Sequence, residues 1–127
     1  MNRPYRILHI EDLPSDAYLV GRELKKVLGL CEIKIVESKE TFSSTLKEFK
    51  PDIIVSDISL PDFDWLTAFR LTRELSPLTP FIIVTGSMNT DYASECIKAG
   101  VLDFISKVNI QKLGPVVLLA LEKNKMI

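Results

Sequence analysis

The chain is poor in the residues that build thiol and soft-metal sites. It has two cysteines and one histidine in 127 residues. Cys31 and Cys96 stand far apart with no metal-ligand spacing, and His9 has no second His or Cys near it in sequence. With 46% hydrophobic residues the chain can build a core without a disulfide. Both thiols are therefore expected reduced and buried, in a cytoplasmic setting. Neither sign of charge prevails. The formal net charge of -1 offers no electrostatic reason to expect nucleic acid or an anionic membrane as a direct partner. No apolar run approaches the roughly 20 residues that span a bilayer. The opening "MNRPYRILHIEDL" turns acidic too soon for a signal peptide. Repeats, low-complexity tracts and long linkers are also missing. Residues 1–127 read as one domain, with a core over about 5–121 and with 122–127 as the start of a linker, because "LEKNKMI" carries no helix stop.

What is present is a regular alternation. Apolar stretches at 5–10, 31–37, 52–57, 80–86 and 101–105 have strand character. Between them lie helical patterns. Ala17, Val20, Leu24 and Val27 share a face ahead of Gly29. Ser38 caps a helix carrying Phe42, Leu46 and Phe49, which stops at Pro51. A helix at about 64–75 directs Leu66, Phe69 and Leu75 inward, with Asp64 a better cap than Asp62. Asn89 and Thr90 open a helix through Ala93, Cys96 and Ile97 to Gly100, and a last helix runs over about 110–125. Strict β–α alternation implies right-handed crossovers and a parallel sheet covered on both faces, an α/β doubly wound fold. The alternating stretch 31–37 suits its edge.

In such a sheet chemistry collects at the carboxyl ends of the strands. Those ends carry Glu11 and Asp12, then Asp57, then Thr85, and the fifth strand runs into Lys107. Three carboxylates in one crevice repel one another unless a cation joins them. Oxygen ligands without a His or Cys cluster favour a hard ion such as Mg²⁺, which also accepts phosphate oxygens. With a lysine and a hydroxyl beside it, the rim is suited to a phosphoryl group.

The stretches "HIEDLPSD", "DIIVSDISLPDFD", "FIIVTG" and "AGVLDFISK" resemble the response-regulator receiver domains of two-component signalling, over about Tyr5 to Leu121. The resemblance implies a five-stranded (βα)5 flavodoxin-like sheet in the order 2-1-3-4-5. It implies that Asp57 is the phosphoacceptor for a phosphohistidine on a sensor histidine kinase or phosphotransfer protein. Asp12, Asp57 and the Ser59 backbone carbonyl would bind Mg²⁺, with Glu11 acting through a water. Lys107 would pair with Asp57 and then with phosphate. Thr85 would move inward to the phosphate, and Phe104 would fill the space it leaves. Ser59 and Ser87 would flank the path of the hydrolytic water, with Gly86 leaving access. Only self-phosphorylation and self-dephosphorylation are implied, not an enzyme activity on other substrates.

Two positions depart from the family pattern. Trp65 stands where glycine is usual, so the preceding loop must take another path, with the indole covering the core or meeting a partner. Val108 follows Lys107 where a cis-proline is usual, and a trans peptide with a shifted lysine is expected. These departures support the alternative of a degenerate receiver acting by protein contact alone. A third reading, a Mg²⁺-dependent phosphohydrolase with an aspartyl nucleophile, lacks the second aspartate at position 59. His9 reads as a packed, satisfied core histidine. The final helix has Leu113, Val117, Ala120 and Leu121 on its core face, while Val116 and Leu119 fall elsewhere. That surplus suggests a fused or partner output module, a homodimer, or a continuing coiled linker.

Overall fold

Short apolar runs and amphipathic helices alternate along the chain. The structure is a computed structural model that describes residues 3–58, 63–86 and 90–125. Ser59, Asp62, Ser87 and Asn89 lie outside the described residues. The elements are β1 (Tyr5–Ile10), α1 (Pro14–Leu28), β2 (Cys31–Val36), α2 (Lys39–Phe49), β3 (Ile53–Asp57), α3 (Trp65–Leu75), β4 (Phe81–Thr85), α4 (Thr90–Ala99) and β5 (Asp103–Ser106). A 3₁₀ segment (Lys107–Lys112) then leads into α5 (Leu113–Lys125). All strand pairs are parallel, in the order β2-β1-β3-β4-β5, as expected. Every residue of β3 and β4 is buried, whereas in β2 only Val36 is fully buried, as suits an edge strand.

The sheet separates two cores of different chemistry. On one face, α1 and α5 cover an aliphatic layer that includes Ile7, Val20, Leu24, Val55, Ile82, Leu113 and Val117. On the other, α2, α3 and α4 cover a layer holding Trp65 and five of the six phenylalanines, Phe42, Phe63, Phe69, Phe81 and Phe104. Neighbouring strand residues alternate between these layers: Ile7 belongs to the first, Leu8 to the second.

Helix starts and stops follow local chemistry. Ser38 caps α2 by accepting from the Thr41 amide, and Asp64 caps α3 by accepting from the Thr67 amide at 2.7 Å. Gly100 ends α4 with φ 116°, a conformation that side chains resist. The predicted core faces need correction at three places. Leu75 and Ile97 are exposed, and Val27 is partly so. In α3 the buried stripe is Trp65, Ala68, Phe69 and Thr72, because the Thr72 hydroxyl donates to the Ala68 carbonyl at 2.8 Å and can sit inside. Val27 lies against Gly114, where α1 and α5 approach so closely that a Cβ on Gly114 would stand 2.4 Å from Val27 Cγ2.

Candidate acidic site at the strand ends

Sheet order changes direction between β1 and β3, and the site forms at the carboxyl ends beside that point. The Glu11 amide still bonds the Val36 carbonyl (3.0 Å), which carries strand pairing up to the rim before the chain turns into α1. Glu11 is buried, and its Oε2 accepts from the amides of Asp12 (3.2 Å) and Leu13 (3.3 Å). Asp57 ends β3 and is also buried. Oxygens of Glu11, Asp12 and Asp57 lie within 4.8 Å of one another. A cleft of about 380 Å³ opens among Asp12, Asp16, Asp57, Thr85, Gly86 and Lys107. Thr85, the last residue of β4, is buried in register with Ser106.

Lys107 is the first residue after β5. Its ammonium donates to Asp16 Oδ2 at 2.6 Å, to Asp57 Oδ2 at 3.1 Å and to Glu11 Oε1 at 3.4 Å. Partial burial works against its charge, but the bonds to Asp16 and Asp57 more than offset this and raise its pKa. For Glu11 burial dominates. With the Asp57 charge and hydrogen bonding added, and only partly offset by Lys107, it pushes the Glu11 carboxyl up to about 7. Three carboxylates thus share one lysine, and Asp12 adds a fourth beside them. The unbalanced negative charge, the oxygen-only donor set and the convergence of three carboxylates fit a hard divalent cation such as Mg²⁺.

The predicted residues Glu11, Asp12, Asp57, Thr85 and Lys107 are gathered here. Phe104 is buried in the aromatic layer, opposite Ile83 in the strand register. The Ser59 carbonyl lies outside the described residues. Among the described residues no peptide bond is cis, so Lys107–Val108 is trans. The lysine reaches Asp57 regardless, since Ser106 Oγ accepts from the Val108 amide at 3.2 Å and starts the 3₁₀ turn at the strand end. Trp65 covers the core. It is buried against Phe69 and Tyr92, and its Nε1 donates to the Tyr92 hydroxyl at 2.7 Å. Neither departure from the family pattern disturbs the constellation, which removes the support for a degenerate receiver.

His9 is packed, as expected, but not satisfied. Among the described residues neither ring nitrogen has a hydrogen-bond partner, and Nε2 stands 3.9 Å from Glu11 Oε1. Burial, helped by the Lys107 charge, lowers its pKa to about 4, so the ring is neutral. Asp16 is the site residue that sequence reasoning missed. Its one signal is its place four residues after Asp12, in the first turn of α1.

The family model described as the response regulator receiver domain matches residues 7–116. The DNA-binding transcriptional regulator NtrC of Proteus hauseri is 28% identical over 98 residues, covering 77% of this chain and 20% of that protein. The uncharacterized transcriptional regulatory protein YvcP of Bacillus subtilis is 35% identical over 105 residues, covering 81% of this chain and 42% of that protein. The chain therefore spans less than half the length of these relatives. Among solved structures, a signal receiver domain from Vibrio parahaemolyticus superposes with a TM-score of 0.85 at 28% identity, over 98% of this chain and 95% of that one.

Proposed function

The chain belongs to the response regulator receiver domain family, and from that premise we propose that it is a phosphoacceptor switch in which Asp57 takes the phosphoryl group of a phosphohistidine. The donor is a sensor histidine kinase or a phosphotransfer protein. The observation that carries this reading is Lys107 Nζ at 3.1 Å from Asp57 Oδ2, on the rim where Glu11, Asp12 and Asp57 converge.

In the transfer, an Asp57 carboxylate oxygen forms a bond to phosphorus as the P–N bond breaks. The electron pair of that bond returns to the imidazole, and an acyl phosphate remains on Asp57. Asp12 and Asp57, with the Ser59 carbonyl and with Glu11 through a water, would hold Mg²⁺, which offsets negative charge on the transferring phosphoryl oxygens. Lys107 turns one of its three donors from Asp57 to a phosphoryl oxygen. Thr85 supplies a hydroxyl donor from the end of β4, and Phe104 repacks behind it. A phosphoryl group that fits one of two packings better shifts their populations, and moving such a switch from off to on takes about 5.5 kcal/mol of differential binding. Charge-assisted hydrogen bonds from Lys107 and Thr85 supply much of it.

The expected setting is the cytoplasm; no helix among the described residues is long and apolar enough to cross a membrane. The chemistry is confined to the chain's own phosphorylation and dephosphorylation. An output module or a second copy reads the last strand and helix, where Leu119 is exposed.

The test is intact mass after incubation with Mg²⁺ and acetyl phosphate. Wild type should gain one phosphoryl group, and Asp57→Asn should gain none. An unmodified wild type under conditions where calorimetry shows bound Mg²⁺ would overturn the reading.

A further inference from the structure

Lys107 sits nearest to a carboxylate for which the phosphoacceptor chemistry has no use. Its bond to Asp16 is the shortest of its three, 2.6 Å against 3.1 Å to Asp57 and 3.4 Å to Glu11. An ammonium has three N–H donors, so these three oxygens occupy them all. Asp16 is also set apart from the cation ligands, because the converging trio is Glu11, Asp12 and Asp57. Its position on α1 sharpens the point. The residue at the helix N-cap is Leu13, which makes no side-chain cap, and a first-turn aspartate is well placed to sit over the free amides there. Instead an Asp16 oxygen reaches across to the end of β5.

We infer that Asp16 is a positioning residue that anchors Lys107 and sets how strongly the lysine engages Asp57 and the phosphoryl group. This rests on the phosphoacceptor reading of the site and deepens it. In the resting site Asp16 shares the ammonium with Asp57 and holds it more closely, which weakens the lysine's grip on the acceptor oxygen and eases the approach of a cation. Without Asp16, the lysine settles on Asp57 and Glu11, and a divalent cation has to displace it. After an anion arrives, Asp16 competes with it for the same ammonium, so removing Asp16 gives the lysine wholly to the anion. The anchor thus favours the cation step and restrains the phosphoryl step. Its carboxylate is a quarter exposed and the lysine 14% exposed, so the contact lies at the mouth of the cleft, where it can release.

The test uses the whole chain and two probes, Mg²⁺ alone and beryllofluoride at saturating Mg²⁺, a stable mimic of the bound phosphoryl group. Calorimetry on Asp16→Asn should show Mg²⁺ binding weakened about three- to tenfold and beryllofluoride binding tightened by a similar factor, the scale of one charge-assisted hydrogen bond at a partly exposed site. Asp16→Glu should restore both in part. Both effects should shrink below about twofold when the same substitution is made in a Lys107→Met background, because the anchor acts only through that lysine. A metal-free urea-unfolding cycle on Asp16 and Lys107 should show coupling between the two. Undiminished effects in the Lys107→Met background would mean that Asp16 acts as a through-space charge, and would overturn the inference. So would wild-type affinities in Asp16→Asn. If wild type takes no phosphoryl group at Asp57, the phosphoacceptor reading falls, while the Mg²⁺ titrations and the unfolding cycle still decide the anchor.

Discussion

His9 Nε2 and Glu11 Oε1 stand 3.9 Å apart, both sealed from solvent, and burial displaces their ionisations in opposite directions, His9 downward and Glu11 upward. Burial holds His9 neutral down to about 4, from an ordinary 6.5, and holds Glu11 protonated up to about 7, from an ordinary 4.5. The His9 contribution to stability is complete above 6.5 and is lost as pH falls through 4. The Glu11 contribution is complete below 4.5 and is lost as pH rises through 7. Between 4.5 and 6.5 the two oppose each other. Metal-free wild type should therefore change little in urea stability between pH 7 and 5. Glu11→Gln should leave the His9 slope uncompensated and lose stability on acidification, up to about 3 kcal/mol at the end of the His9 window. Equal pH slopes for the two proteins would contradict this.

The same Glu11 shift makes cation binding pH-dependent. A proton and a cation compete for a carboxyl that titrates near 7 when metal-free, so Mg²⁺ affinity should fall about tenfold from pH 8 to pH 6. In Glu11→Gln the affinity should be weaker at all pH values and nearly flat across this range. Calorimetric titrations in matched buffers measure both.

Gly114 sets the distance between α1 and α5. Alanine favours a helix interior over glycine by about 1 kcal/mol, but here its Cβ would meet Val27 Cγ2 at 2.4 Å and the Glu23 carbonyl at 3.0 Å. Gly114→Ala should destabilise the chain by about 1–3 kcal/mol in urea unfolding. Val27→Ala should recover part of the loss by removing the nearer contact.

Trp65 and Tyr92 tie the start of α3 to α4 through a hydrogen bond and an edge-on ring contact. Tyr92→Phe leaves the buried indole N–H without that acceptor and should cost about 1 kcal/mol. Trp65→Ala also empties the space against Phe69 and should cost about 3–5 kcal/mol. Chemical denaturation ranks the two. A Tyr92→Phe protein as unstable as Trp65→Ala would show that the bond, rather than the packing, holds these helices.

Much of this was legible because strand ends are legible. An apolar run that stops at a charge locates that charge on a rim, and parallel topology brings Glu11, Asp12, Asp57, Thr85 and Lys107 to the same rim. Asp16 was hidden because a carboxylate in a first helical turn already has a local explanation in the helix dipole. Leu75 and Ile97 are exposed although apolar, because helical periodicity alone does not say which apolar residues the core has room for. Thr72 takes a core position instead, by satisfying its hydroxyl within its own helix. The orphaned nitrogens of His9 depend on what the neighbouring elements fail to offer, and a strand residue's own sequence does not record that.

The division of the core into an aliphatic and an aromatic side makes the molecule spectroscopically one-sided. Trp65 and five phenylalanines lie in the α2–α3–α4 layer. In the opposite layer the aromatic contribution is Tyr5 at the margin. Near-ultraviolet circular dichroism and tryptophan fluorescence therefore watch the half of the protein that contains Phe104 and are almost blind to the other. A change in those signals on adding beryllofluoride would assign the rearrangement to that half without any label. Methyl resonances of Ile7, Val55, Ile82 and Val117 would serve as the silent half's own reference.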